Sequence, residues 1–165
     1  MESLHECLQT YRAQLEKGAI QAAYKGLMDY IMTLRTHFKN THPECGVSGS
    51  LYYGYMDMTY FACVPHFFKQ RKLKIAIVFL HEAWRFEVWL AGANKQVQET
   101  YWTWFREHEW TTYPLVPTTK GADAILEHIV VDNPDLRHVE VLTTTIESGV
   151  LAFIQEVERF LSQHQ

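Results

Sequence analysis

Through the first forty positions apolar residues recur at helical spacing. Leu4, Leu8, Tyr11 and Leu15 share one face, and Ile20, Tyr24, Leu27, Ile31, Leu34 and Phe38 resume the period beyond Gly18. The spacing predicts helices over about Leu4–Lys17 and Ala19–Lys39. Ser3 and Glu6 form a capping box for the first, because each side chain can satisfy a backbone N–H that the helix start leaves unpaired. Gly18 is its natural stop, and Pro43 disfavours helix at the residue before it. Residues 41–50, THPECGVSGS, are turn chemistry.

The period then falls to two. LYYGYMDMTYFAC predicts a strand over Leu51–Cys63, and LKIAIVFLHEAWRFEVWL, Leu73–Leu90, predicts two strands joined at His81–Trp84. Asn94 reads as the N-cap of a helix over Lys95–His108. Residues 110–120 contain Pro114 and Pro117 and read as loop or a poor edge strand. The short run Ala124–Val131 is read as helix, and Asp132–Asp135 as a turn. A last helix over Thr145–Ser162 has Thr144 and Glu147 as its capping box, with Ile146, Val150, Phe153, Ile154, Val157 and Phe160 inward. Gly149 inside it costs about 1 kcal/mol against alanine. Together these elements predict a single α+β domain over residues 1–165. Its sheet is mainly antiparallel, of three or more strands, packed by the amphipathic N- and C-terminal helices.

Separating the two faces of the hairpin sharpens this picture. The turn pairs Leu80 with Arg85, Val78 with Glu87 and Ala76 with Trp89. One face is then wholly apolar, with Ile75, Ile77, Phe79, Phe86, Val88 and Leu90. Burying each of these is worth roughly 1.5–3 kcal/mol before chain entropy is subtracted. The other face is mixed, with Lys74, Arg85, Glu87 and Trp89 among small and aliphatic residues. On the preceding strand, Met56, Met58, Tyr60 and Ala62 suit the apolar side, leaving Tyr53, Tyr55, Asp57 and Thr59 for the mixed side. A meander would gather Tyr53, Tyr55, Asp57, Arg85, Glu87 and Trp89 there. Polar groups converging among aromatics are the common composition of a small-ligand pocket, and cross-strand pairing of Arg85 with the two carboxylates is the structural alternative.

Charge and composition remove other classes. The net charge of −4 disfavours nucleic acid as a partner, and no apolar run approaches the roughly 20 residues of a membrane span. The acidic N-terminus does not read as a signal peptide. Three cysteines without CxxC spacing suit a reduced cytoplasm; Cys7 and Cys63 read as interior, and Cys45, in a loop, as the potentially reactive thiol, with no neighbouring base in view. All five tryptophans lie between residues 84 and 110, as core or as a subunit interface.

Motifs with chemistry attached fail on context. His81-Glu82-Ala83-Trp84-Arg85 begins like a zinc-protease helix, but arginine replaces the second histidine and the stretch is a turn. The other histidines have no ligand spacing, so no metal is expected. Gly46-Val47-Ser48-Gly49-Ser50 resembles a nucleophile elbow without its following helix, and reads as a glycine turn. No dinucleotide or P-loop glycine pattern occurs, so no cofactor is expected.

Three stretches carry a family likeness: SGSLYYGYMDMTYF (Ser48–Phe61), KLKIAIVFLHEAWRFEVWLAGANKQ (Lys72–Gln96) and YWTWF (Tyr101–Phe105). On these the chain resembles an uncharacterised bacterial family of conserved hypothetical proteins, a domain of unknown function, over nearly its whole length. The resemblance implies a bacterial cytoplasmic origin and no activity. A fainter likeness to modules of restriction-type nucleases lacks their lysine, since the strand reads Glu87-Val88-Trp89. The leading expectation is a small-ligand-binding or interaction module. The alternatives are a hydrolase using carboxylates of the mixed face and an oligomeric structural protein.

Overall fold

The protein is described from a computed structural model covering residues 1–47 and 49–164; Ser48 of the glycine turn lies outside the described residues. The chain divides into two compact units, Met1–Leu34 and Arg35–Gln165.

In the first unit, α1 spans Leu4–Glu16 and is closed by the expected capping box: Glu6 Oε2 accepts from Ser3 N–H at 2.7 Å, and Ser3 Oγ accepts from Glu6 N–H at 3.3 Å. Gly18 takes a φ of +77°, ending it. No α1 residue is buried, and Cys7, read as interior, is exposed. Helix α2, Ala19–Thr41, begins here and carries on into the second unit.

The second unit is built on one antiparallel sheet, order β1-β2-β3-β4, with β1 at Met58–Cys63, β2 at Leu73–Leu80, β3 at Arg85–Gly92 and β4 at Leu126–Asp132. The fold class is therefore α+β. The hairpin pairs Leu80 with Arg85, Val78 with Glu87 and Ala76 with Trp89, as the turn demanded. Its apolar face is sealed: Ile75, Ile77, Phe79, Phe86, Val88 and Leu90 are each 1% exposed or less. Among the described residues three α-helices besides α2 belong to the unit, the single turn α3 (His66–Lys69), α4 (Lys95–Glu107) and α5 (Val139–Gln163), with a short 3-10 helix at Pro43–Cys45. Helix packing falls on the apolar side. Phe38 of α2 meets Phe61, Phe153 of α5 stacks on His128, and Phe105 of α4 stacks on Phe160 of α5.

Four further readings are corrected here. The strand expected over Leu51–Cys63 begins only at Met58, because Gly54 and Met56 have positive φ and fold residues 54–57 into a turn. A side chain at Gly54 would put its Cβ 2.1 Å from the Met58 carbonyl oxygen. The faces of β1 are also reversed. Met58 and Tyr60 pair with Leu80 and Val78 on the mixed side, while Thr59, Phe61 and Cys63 point under the helices. Thr59 tolerates complete burial because its hydroxyl donates to Tyr53 O at 2.8 Å and lies 2.8 Å from His81 Nε2.

Residues 126–132 are strand, not helix. A short apolar run suits either state, and pairing with β3 decides for extension of β-branched Ile129, Val130 and Val131. A bulge there shifts the register between Phe86 and Glu87. Helix α5 starts six residues before the expected Thr145, so Thr144 and Glu147 lie inside it and no capping box forms. Thr144 donates instead to Glu140 O at 3.0 Å, and Glu147 is released for long-range pairing.

Candidate functional site

Side chains at alternate positions of β3 leave on one side, which puts Arg85, Glu87 and Trp89 in a row on the mixed face. Glu87 is 2% exposed, a position a carboxylate holds only when its oxygens are matched. Arg85 Nε donates to Glu87 Oε2 at 2.6 Å, and Trp89 Nε1 donates to Glu87 Oε1 at 2.9 Å. The carboxylate thus takes its counter-charge from a partly exposed guanidinium and spends its other oxygen on holding the indole plane.

Beside that indole the sheet is hollow. Ala76, Val78 and Ala124 pack with Trp89, and Met58, Tyr60 and Leu80 border them half-buried. Ala76 and Ala91 are short, which leaves a pocket of about 120 Å³ walled by Tyr60, Trp89 and the two alanines, with Lys74 and Asp123 also lining it. Asp123 lines as well a larger hollow of about 500 Å³ against Lys95, Gln98, Glu99 and Lys120. The segment carrying Asp123 is fixed on both sides. Gln98 Nε2 donates to Ala122 O at 2.8 Å while its Oε1 accepts from Gly92 N–H at 3.1 Å, and Ile125 N–H donates to Leu90 O at 2.7 Å. Gly92 permits this approach, since a Cβ there would lie 2.7 Å from Gln98 N.

Of the six residues singled out from sequence, the structure joins Arg85, Glu87 and Trp89 by hydrogen bonds. Tyr53, Tyr55 and Asp57 stand in the exposed stretch before β1, where Asp57 Oδ1 accepts from Tyr55 N–H at 2.8 Å. That bond, with others from the turn's backbone, holds the Asp57 carboxyl below its ordinary value. Tyr60, Asp123 and Glu127 are the neighbours that sequence reasoning missed, and Lys74, read on the mixed face, was left out of the cluster. Glu127 lies opposite Trp89, and alternation along Leu126–Asp132 was the signal that could have found it. Burial, then the Glu87 charge, push its carboxyl up, with Arg85 opposing.

A second polar cluster lies under the helices. His37 and His42 both reach Glu147 of α5, His42 Nε2 at 3.2 Å, and His42 Nδ1 lies 3.2 Å from Glu44 Oε1. Burial works against the charged His42 imidazole, but the Glu147 and Glu44 carboxylates outweigh it and raise its pKa above the ordinary 6.5. Burial likewise opposes the Glu147 carboxylate, and the two histidines overcome it, lowering its pKa below 4.5. A raised histidine stabilises the fold below its unfolded pKa and loses that contribution as pH rises through the folded one. A lowered carboxylate stabilises above its unfolded pKa and loses it as pH falls through the folded one. The cluster is therefore strongest between about pH 4.5 and 6.5. Urea titrations should show stability declining on both sides of that window by on the order of 1 kcal/mol, and Glu147→Gln should flatten the profile. An unchanged profile in the variant would remove the cluster's role.

Cys45, read as a potentially reactive loop thiol, is 2% exposed, and Cys63 beside it is fully buried. Among the described residues no group of three or more His, Cys, Asp or Glu is placed to hold a metal ion, and no helix is long and apolar enough to cross a membrane.

The class this geometry defines is a one-sheet α+β protein with helices on one face and an aromatic hollow with charged lining on the other. The chain belongs to the family described as a domain of unknown function, DUF7000, whose model matches residues 4–161. No curated protein and no solved structure matches it.

Proposed function

We propose that the chain is a small-ligand-binding module whose site is the hollow over Trp89 on the mixed face. One observation carries the reading: a buried carboxylate is committed to orienting the indole of an otherwise solvent-facing pocket. A tryptophan needed only as filler would require no such costly support. Arg85 and Glu87 are positioning residues here, and Tyr60, Lys74, Trp89 and Asp123 are those that touch the ligand. A thermal-shift screen of fragments of five to eight heavy atoms tests the site when repeated with Ala91→Met, which fills the hollow. Hits should lose their effect in the variant; hits that persist place binding elsewhere.

Hydrolysis is the second reading, favoured by the Glu127 carboxyl on the mixed side of β4, which burial raises toward the range of a general acid. It predicts turnover of ester or glycoside substrates that Glu127→Gln abolishes with ligand binding retained. The oligomeric reading drew on exposed tryptophans, and among the five only Trp84 is exposed, at 43%.

A further inference from the structure

The charges lining the hollow define the class of ligand, on the reading that the hollow is the site. Lys74 and Asp123 line one space of about 120 Å³, yet no ion pair joins them. The Lys74 ammonium lies 5.8 Å from the Tyr60 ring centroid, a distant cation–π contact, and among the described residues no carboxylate forms an ion pair with it. Among the described residues the Asp123 carboxylate forms no ion pair either, although its backbone is pinned on both sides by Gln98 and by the strand bond of Ile125. Two opposite charges are thus held at one pocket without neutralising each other.

Asp123 is exposed and Lys74 half-buried at the rim, and an occupant that covers both and displaces their water must answer both charges, because a charge stripped of water without a partner is costly. A simple anion would answer Lys74 and strand Asp123, and a simple cation would do the reverse. The remaining walls, Met58, Tyr60, Ala76, Trp89 and Ala91, ask for an apolar body. A cavity of about 150 Å³ holds a benzene ring, so this one takes an apolar group of roughly four or five carbons.

We infer that the hollow binds a small zwitterion of the amino-acid class. Its carboxylate meets the Lys74 ammonium, its ammonium meets the Asp123 carboxylate, and its aliphatic portion lies against the Trp89 indole.

The experiment follows the Trp89 indole N–H signal by NMR, assigned with Trp89→Phe, during titration with four probes. L-valine carries both charges, L-valinamide only the cation, 3-methylbutanoate only the anion, and cyclopentanol neither. L-valine should move the signal and bind at least tenfold more tightly than each of the other three. Lys74→Met should erase the preference for L-valine over L-valinamide, and Asp123→Asn its preference over 3-methylbutanoate. Both positions are at the pocket's rim, and an unchanged indole spectrum without ligand verifies the fold. Equal binding of the charged probes, binding of cyclopentanol alone, or L-valine binding indifferent to both variants overturns the inference. The first two leave the hollow standing as a ligand site. Silence from all four probes overturns the inference and the site together.

Discussion

Replacing Glu87 with alanine lowers the urea midpoint of unfolding by the equivalent of about 2–3 kcal/mol, with the slope unchanged. The residue is 2% exposed and bonds Arg85 and Trp89 at once, so its loss leaves two donors without their acceptor. Arg85 is one-third exposed and recovers water, which screens its share of the cost. Trp89 is 7% exposed and recovers less, so most of the loss is the desolvated indole N–H. Glu87→Gln keeps an acceptor for the indole and should recover about half. Ligand affinity separates structure from positioning. Arg85→Ala should weaken binding in the hollow and lower stability as well, since it leaves the buried Glu87 carboxylate without its counter-charge. If Glu87→Ala matches the wild type in urea, the row on β3 contributes nothing to the fold.

Gly149→Ala destabilises, although alanine is the better helix former by about 1 kcal/mol. Helix α5 passes so close to the β4 bulge that a Cβ at 149 would lie 2.6 Å from Val130 Cγ1. Valine is stiff about its first side-chain torsion, so strand or helix must shift, at about 1–3 kcal/mol. The net loss should be up to about 2 kcal/mol. In a Val130→Ala background the obstructing atom is gone, the next contact is with Val130 Cβ at 3.7 Å, and the sign should reverse. Denaturation of the four proteins forms a double-mutant cycle, and additivity would refute the close approach. The glycine that weakens the isolated helix is thus the one that lets it seat on the sheet.

Much of this was legible beforehand. The period of the first forty residues located α1 and α2, and Ser3 with Glu6 named the cap of α1. The hairpin was legible in full, because its strands are adjacent in sequence and its turn leaves one register that buries Ile75, Ile77, Phe79, Phe86, Val88 and Leu90 together. From that register Arg85, Glu87 and Trp89 had to share a side. Asp57 was misplaced for a physical reason: the parity of β1 depends on where the chain re-enters the sheet after the turn at Gly54 and Met56, and the aromatics there satisfy either parity. Thr59 misled as well, because a hydroxyl counts as outward until the Tyr53 carbonyl that receives its proton is known. The second capping box failed because Thr144 and Glu147 have the right spacing in the middle of a helix whose start was set elsewhere.

By itself the sequence determined what neighbouring residues impose on one another: helix faces, the cap of α1, the hairpin with its sealed face, and the row that supports Trp89. Only the tertiary structure decided that Leu126–Asp132 extends rather than coils, that β1 turns Tyr60 toward the hollow, and that Asp123 arrives beside Lys74. The division follows from range. Backbone sterics and side-chain period act over a few residues, whereas the pairing of β4 with β3 and the pinning of Ala122 by Gln98 join segments tens of residues apart. Such joins form only when burial and hydrogen bonding across the whole unit outweigh the entropy of closing the chain between them.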